Sequence, residues 1–319
     1  MKKFDAIVIG DVNIDLVVVG YDRPPLPGQE IFVDNIMTHL GGGAALFSLS
    51  LAKLGLKLAF NGILGDDYYG RFLMKQFEQY GIDTSYINLS QTANTGISIA
   101  LHPEKDRSFI TYAGSNAQLS LRQLDRSSVA EGRHVHLTCY KGSANHADYM
   151  ETVMELKKLG VTLSFDTGWD DTGEWYRGIL DLAAQIDVFF MNETEAMHYT
   201  RCATVEEAIT HLARHGKHVV VKLGSKGAMA IVDGKRIYHP GFQVEARDTT
   251  GAGDSFNAGY IYGYLTGKEP AECLVYGNAC GALSVSAYGG STGTLDHEAM
   301  LRFIAGHTDA SALQEEARG

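Results

Sequence analysis

Clustered cysteine is missing from this chain. Its four cysteines, Cys139, Cys202, Cys273 and Cys280, show no CxxC spacing and no paired-histidine tract. That argues against a structural zinc site and fits free thiols in a reducing compartment. Long uncharged apolar runs are missing too, and none approaches the roughly 20 residues that span a bilayer. The start Met1-Lys2-Lys3 and its apolar sequel mimic a signal peptide, but Asp5, Asp11 and Asp15 interrupt the run, so a buried first strand is expected. Positive charge is short: 27 Lys and Arg stand against 38 Asp and Glu, a net charge of -11. A phosphate backbone is gripped by clustered cations, so nucleic acid is not the main partner. No GxGxxG follows the first apolar run, which sets aside a nicotinamide dehydrogenase. No Walker loop, internal repeat or low-complexity segment occurs. A cytoplasmic protein without a membrane partner is expected.

What is there is ordinary in bulk and specific in pattern. The 319 residues are 45% hydrophobic and 20% charged, enough for a large core. From residue 114 on, strand-like runs near 134–138, 162–165, 188–191 and 219–223 alternate with helical stretches near 149–158, 176–184 and 205–215. That rhythm predicts a doubly wound α/β fold with a mostly parallel sheet and helices on both faces. Residues 228–232 and 236–239 read as a hairpin around Asp233-Gly234. Gly41-Gly42-Gly43 opens a helix whose Leu46, Leu49, Leu51 and Leu54 form a core stripe. Four short strands, at 12–19, 30–39, 95–101 and 108–112, break the rhythm, the last two flanking a polar turn at 104–107. They predict a small β-sheet lid over the crevice, one that would exclude water from a reaction. The expected division is an α/β domain of 1–11, 40–93 and 114–307, a lid of 12–39 and 94–113, and a frayed polar tail of 308–319. His134 and His136 sit two apart on a strand, share a face, and are taken as structural.

The most informative stretch is Asp248-Thr249-Thr250-Gly251-Ala252-Gly253-Asp254. It lies between a strand-like 242–247 and a helical 255–265. Its glycines permit a sharp turn that aims several N–H groups at one point, and a helix N-terminus adds partial positive charge there. A carboxylate at 254 would repel a resting phosphate. It makes sense if it takes the proton of a hydroxyl that then attacks that phosphate. The amides of Gly251, Ala252 and Gly253 would hold the transferring phosphoryl group as an anion hole. Merely complementing the helix dipole is the competing account of Asp254.

The ordered motifs identify a family resemblance. Gly10-Asp11-Val12-Asn13-Ile14-Asp15, Gly41-Gly42-Gly43, Gly65-Asp66-Asp67-Tyr68-Tyr69-Gly70, Asn192-Glu193-Thr194-Glu195, Lys222-Leu223-Gly224-Ser225-Lys226-Gly227 and Asp248 to Asp254 run through nearly the whole chain, from about residue 6 to 303. Together they resemble the ribokinase-like carbohydrate kinases of the pfkB family. The resemblance implies an ATP-dependent kinase that phosphorylates a primary hydroxyl of a sugar or sugar derivative, with Asp254 as general base. It implies Asn13, Asp15, Gly42 and Gly43 at the sugar, and Asn192, Lys222, Gly224, Gly227 and Asn278 at ATP. Glu195 would order Mg²⁺, largely through water, because magnesium keeps waters and takes oxygen ligands. Asp248 and Thr250, with carbonyls of 288–293, match a monovalent cation site that would take K⁺. The lid often forms a homodimer contact in this family.

The departures fall on the sugar end. Position 46, often Asn, is Leu. Position 43, often Lys where phosphorylated sugars bind, is Gly. Position 141, often acidic, is Lys, which hints at an anionic acceptor if it faces the pocket. Asp166-Thr167-Gly168-Trp169-Asp170-Asp171 keeps only the first Asp of the usual DxNxR. At 222 the family usually has another residue type, and the 288–293 loop lacks its usual closing serine. The acceptor is therefore expected not to be plain ribose, with Trp169, Phe109 and Tyr112 as candidates to stack on a sugar face or a base. The alternatives are a nucleoside kinase of the same family and a non-catalytic sugar or nucleotide sensor.

Overall fold

The computed structural model describes residues 2–102, 108–124, 129–293 and 296–316, with backbone alone for 102 and 308–316. The turn expected at 104–107 lies outside the described residues. In chain order the strands are β1 (Phe4–Ile9), β2 (Asn13–Val19), β3 (Asn35–Gly41), β4 (Leu58–Gly65), β5 (Asp83–Ser90), β6 (Gly96–His102) and β7 (Ser108–Tyr112). They continue as β8 (Gly132–Leu137), β9 (Thr162–Asp166), β10 (Val188–Asn192), β11 (His218–Lys222), β12 (Ala228–Val232) and β13 (Lys235–His239). The helices are α1 (Gly43–Lys53), α2 (Tyr68–Gln79), α3 (His146–Lys158), α4 (Ile179–Ala183), α5 (Glu193–Thr200), α6 (Val205–Leu212), α7 (Ala252–Leu265), α8 (Pro270–Ser284) and α9 (His297–Glu316).

Nine strands form one sheet in the order β13-β12-β11-β10-β9-β8-β1-β4-β5. The pairings from β5 through β11 are parallel, and only β12 and β13 are antiparallel. Continuous runs such as Phe4-Asp5-Ala6-Ile7-Val8-Ile9 suit these strands because both faces are covered. Ile7, Ile9, Val135, Leu137, Phe165 and Phe189 pack on one side, against α3, α4, α5 and α6. Ala6, Val8, Phe60, Val188, Phe190 and Val220 pack on the other, against α1, α2, α7 and α8. Leu46, Leu49, Leu51 and Leu54 are all buried, as the stripe requires.

The remaining four strands form a second sheet, β3-β2-β6-β7. Asp67 ties it down. Its carboxylate caps α2 by accepting from the Gly70 N–H at 2.7 Å. It also accepts the N–H of Thr95, at 2.7 Å, and its hydroxyl, at 2.8 Å, just before β6. The Gly65-to-Gly70 motif is thus a clasp between the two sheets, built on an N-cap.

Several local expectations shift. Residues 242–247 form no strand: Gly241, at φ 78°, turns the chain out of β13, and the segment runs beside α8, with the Arg247 N–H donating to the Val285 carbonyl at 2.8 Å. Helix α7 begins at Ala252 rather than 255, so Asp254 lies in its first turn. β3 starts at Asn35, not 30, while β5 and α5 have no counterpart in the sequence reading. The final helix runs to Glu316, into the stretch expected as a frayed tail. Among the described residues no helix is long and apolar enough to cross a membrane.

His134 and His136 do share one face of β8. Their ring nitrogens meet the hydroxyls of Thr162, at 2.8 Å, and Ser164, at 2.7 Å, on β9, and His136 stacks on Phe47 with centroids 3.8 Å apart. Burial first, and neighbouring positive charge second, push each imidazole from 6.5 down to about 3. The unfolded chain therefore binds protons that the folded one refuses between those values. Their contribution to stability is whole above pH 6.5 and is lost as pH falls toward 3. Thermal unfolding followed from pH 7 to 4.5 should show a falling midpoint, with a shallower slope in His136→Gln. A midpoint that is flat over that range would refute the buried neutral pair.

Candidate active site

The chemistry-bearing residues gather at the carboxyl ends of the parallel strands. Asp11 follows β1, Thr138 and Lys141 follow β8, Asp166 ends β9, Asn192 ends β10 and Lys222 ends β11. Strand order reverses between β1 and β8, the switch point outside which open α/β sheets form their crevice.

Two helices point their N-termini at this crevice. Helix α1 starts at Gly43, whose N–H donates to Asp11 Oδ2 at 2.8 Å, with the Ala44 N–H donating to Oδ1 at 3.2 Å. Asp11 thus caps a helix 32 residues downstream. Gly42 needs φ 95°, and a Cβ there would come within 2.7 Å of the Asp11 carbonyl, so only glycine fits. Helix α7 starts after Gly251, at φ 72° in the left-handed region. Its first free N–H groups face the same crevice. The two ends nearly touch: a Cβ on Gly43 would lie 3.1 Å from Asp254 Oδ1.

Lys222 sits among carboxylates. Its ammonium bonds Asp166 Oδ2 at 3.1 Å, with both side chains largely buried, and a Cβ on Gly253 would lie 3.3 Å from its Nζ. Burial alone would lower the Lys222 pKa, but Asp166, Glu195 and Asp254 outweigh it and hold the ammonium above its ordinary range. Asn257 donates its side-chain amide to the same Asp166 Oδ2, at 2.6 Å. Asp254 moves the opposite way. Burial first and Asp166 second, opposed by Lys222, push its carboxyl up to about 8. Glu195 is also raised, by burial and Asp166. It closes a capping box on α5, accepting from the Asn192 N–H at 2.8 Å and the Thr167 hydroxyl at 2.8 Å.

Two cavities meet at the first turn of α7. One, of about 250 Å³, is lined by Lys222, Gly224, Gly227, Ala252, Gly253 and Asn278. The other, of about 510 Å³, is lined by Asp11, Asn13, Gly43, Lys141, Asp166 and Asp254 among others. Asp15, Gly42, Asn192, Glu195, Asp248, Thr250 and Gly251 line neither cavity and stand behind these walls. Asn13 donates to Asp15 at 2.7 Å, and burial, partly offset by that bond, raises the Asp15 carboxyl to about 7. Asp248 clasps the glycine-rich loop: it accepts from the Thr250 N–H at 2.9 Å, the Thr250 hydroxyl at 2.7 Å and the Gly289 N–H at 2.9 Å. Leu46 does not face the larger cavity. It is buried against the same loop, where a Cβ on Gly251 or Gly290 would meet its Cδ1 at 2.9 Å.

Of the three stacking candidates, Trp169 lines the larger cavity, whereas Phe109 and Tyr112 do not; their neighbour Thr111 does. The sequence reading missed Asn116, which lines the same cavity and pairs with the Val12 backbone at 3.1 and 3.0 Å. It also missed Asn257, and the apolar wall of Phe242, Val244 and Val285 on the smaller cavity. No motif marks these positions.

The carboxyl oxygens of Asp166, Glu195 and Asp254 gathered around one ammonium fit a divalent cation that takes oxygen ligands. Among the described residues no three His, Cys, Asp or Glu side chains come together as a preformed metal cluster. The ion that fits is therefore one that arrives with phosphates and keeps its waters.

The profile of the pfkB family carbohydrate kinases matches residues 3–297. The chain is 30% identical over 283 residues to an ATP-dependent ribose-1-phosphate kinase of Halopiger xanaduensis, covering 88% of this chain and 91% of that one. It is 28% identical over 310 residues to a 5-dehydro-2-deoxygluconokinase of Bacillus subtilis, covering 91% and 92%. The structure of Arabidopsis thaliana ribokinase complexed with ribose and ATP superposes with a TM-score of 0.82 at 27% identity, covering 94% of this chain and 98% of that one.

Lys222→Met should strand the Asp166 charge and cost about 3–5 kcal/mol of stability. Adding Asp166→Asn should restore most of it. Chemical denaturation of the single and double variants checks this, and an undiminished single variant would mean that the pair is solvated.

Proposed function

The chain belongs to the pfkB family of carbohydrate kinases, and from that premise we propose that Asp254 is the general base of an ATP-dependent transfer to a primary hydroxyl of a sugar or sugar derivative. One observation carries the reading: Asp254 lines the larger cavity while Ala252 and Gly253, on the same helical turn, line the smaller. A donor and an acceptor bound in the two cavities would meet at that turn, where proximity does much of the catalytic work.

In this reading ATP occupies the smaller cavity, along Gly224, Gly227 and Asn278, with its phosphates toward Lys222 and α7. The acceptor occupies the larger cavity at Asn13 and Gly43, with Asp15 bonded to Asn13 and Gly42 just behind that wall. Asp254 accepts the hydroxyl proton as the oxygen attacks the γ-phosphorus and ADP departs. The N–H groups of Gly251, Ala252 and Gly253, with the α7 dipole, stabilise charge on the phosphoryl oxygens. Lys222 supplies a fixed positive charge beside Gly253. Asn192, Asp166 and Glu195 are the oxygen donors suited to order a hydrated magnesium ion, which neutralises phosphate charge when bound. Asp248 and Thr250 hold the 288–293 loop against the anion hole, and we assign a potassium ion to the carbonyls of that loop.

The acceptors named in the relatives differ: ribose 1-phosphate in one, 5-dehydro-2-deoxygluconate in another. The solved ribokinase holds ribose. Trp169, 65% exposed at the mouth of the larger cavity, favours keeping nucleosides in the test. The lid face opposite Thr111, with Ile36, Ile110 and Tyr112 each more than half exposed, supports a homodimer formed through the lid.

ADP release with Mg²⁺ and ATP across pentoses, hexoses, ketoses, sugar acids, sugar phosphates and nucleosides tests the proposal. Asp254→Asn should lower kcat by about 10²–10⁴-fold while leaving ATP binding intact; near-normal turnover would remove Asp254 as the base. The wild-type kcat/KM should rise with pH through about 8, because the carboxyl must be ionised to accept a proton. A flat profile from pH 6 to 9 would contradict that value. Exchange of potassium for sodium salts should lower turnover if the loop carbonyls hold the ion.

A further inference from the structure

The larger cavity carries one positive charge that its own walls leave unanswered. Asp11, Asp148, Asp166, Asp171 and Asp254 line it, together with a single lysine, Lys141. Most of these carboxylates are committed. Asp11 caps α1 and accepts the Thr138 hydroxyl at 3.1 Å. Asp148 pairs with Arg122 at 2.7 Å, and Asp166 pairs with Lys222 at 3.1 Å. Asp254 is held in the first turn of α7. Asp171 is exposed. The Lys141 ammonium makes no ion pair or hydrogen bond with any of them, or with any other described residue.

That isolation is built into the backbone. Lys141 follows β8 in a loop fastened at several points. Its N–H donates to Asn145 Oδ1 at 2.8 Å, and the Asn145 amide donates back to the Cys139 carbonyl at 3.1 Å. The Ser143 N–H and hydroxyl both donate to Glu174 Oε2 at 2.9 Å, and the Tyr149 hydroxyl donates to the Thr138 carbonyl. Cys139 is held at φ 66° and Gly142 at φ 57°. A non-glycine residue takes such a conformation only where its surroundings enforce it. None of these fastenings uses the Lys141 side chain. A cation on a fixed loop, facing a cavity where Asp11, Asp148 and Asp166 are already engaged, is suited to a negative group on the ligand.

We propose that Lys141 determines specificity by binding an anionic group of the acceptor, a carboxylate or a phosphate carried by the sugar, while Asp254 faces the hydroxyl to be phosphorylated. The inference rests on the kinase reading above and names the acceptor class for it. It accounts for a lysine lining the larger cavity, and for room there beyond that of the smaller cavity. Asp171 opposes it, because a second uncommitted charge of the opposite sign would instead suit an amino sugar.

The test compares kcat/KM with Mg²⁺ and ATP for a neutral sugar, the matching sugar acid, the matching sugar phosphate and the matching amino sugar. Each is assayed with wild type, Lys141→Ala, Lys141→Arg and Asp171→Asn. The acid or the phosphate should exceed the neutral sugar by about tenfold or more in the wild type, and which of the two wins identifies the anion. Lys141→Ala should erase most of that preference through KM rather than kcat, and Lys141→Arg should restore it. Because the side chain is exposed and the loop bonds lie elsewhere, an unchanged melting midpoint should accompany the loss. A neutral or amino sugar as the best acceptor, with the preference unmoved in Lys141→Ala, would overturn the inference and leave phosphoryl transfer standing. Wild-type silence toward all four acceptors, with ATP bound, would overturn the kinase reading and this inference together.

Discussion

The buried Lys222 ammonium is the interaction around which the crevice is arranged. It stands where β11 ends, touches Asp166 where β9 ends, and lies within the field of Glu195 and Asp254. That single cation pairs with Asp166 in a largely buried place, and it does not suffice for Asp254, whose carboxyl is still pushed up to about 8. On the proposed reading the imbalance is useful: a free carboxylate beside a phosphate cradle would repel the phosphate, whereas one poised near neutral pH can accept a proton when the acceptor arrives. Breaking the pair would disturb both the stability of the strand ends and the proton affinity at the centre.

Sheet topology brings these groups together. Parallel strands all deliver their carboxyl ends to one edge, and the reversal of order between β1 and β8 opens a gap there. Helices α1 and α7 then aim their N-termini into the gap from the same side of the sheet, with Gly43 and Asp254 nearly in contact. The second sheet grows directly from this region: Asn13 follows Asp11 by two residues, and Gly41 ends β3 just before α1. Movement of that sheet would therefore carry Asn13 and Asp15 with it, which on the proposed reading links acceptor binding to closure. Asp67, bonded to both α2 and Thr95, sets one anchor for such movement.

Much of this was legible in the chain. The apolar runs of β1, β8, β9, β10 and β11 and the helices between them predict a parallel sheet because only a doubly covered strand can be apolar on both faces. The Asp248-to-Asp254 motif was legible because its glycines act locally. The failures have local causes as well. Phe242-Gln243-Val244-Glu245-Ala246 alternates like a strand, but Gly241 turns it away from β13, and its apolar residues line the smaller cavity instead. Leu46 was read as a changed sugar contact, yet it packs beneath Gly251 and Gly290, because the first turn of α1 faces the glycine-rich loop there. Phe109 and Tyr112 were read as stacking candidates, but on β7 Tyr112 falls on the face opposite Thr111, and Phe109, on the same face as Thr111, lies two residues back along the strand and does not line the cavity.

The sequence by itself determined the strand-and-helix rhythm, the two glycine turns that open α1 and α7, and the acid that follows the second of them. Those properties depend on residues within a turn or two of one another. Tertiary structure alone decided that Asp11 would cap a helix 32 residues away, that Lys222 would pair with Asp166 rather than meet solvent, and that the Lys141 ammonium would line the larger cavity with no partner among the described residues. Each of those outcomes depends on burial and on charges brought in from distant strands. A residue's proton affinity and its freedom to bind a ligand are set by that surrounding field.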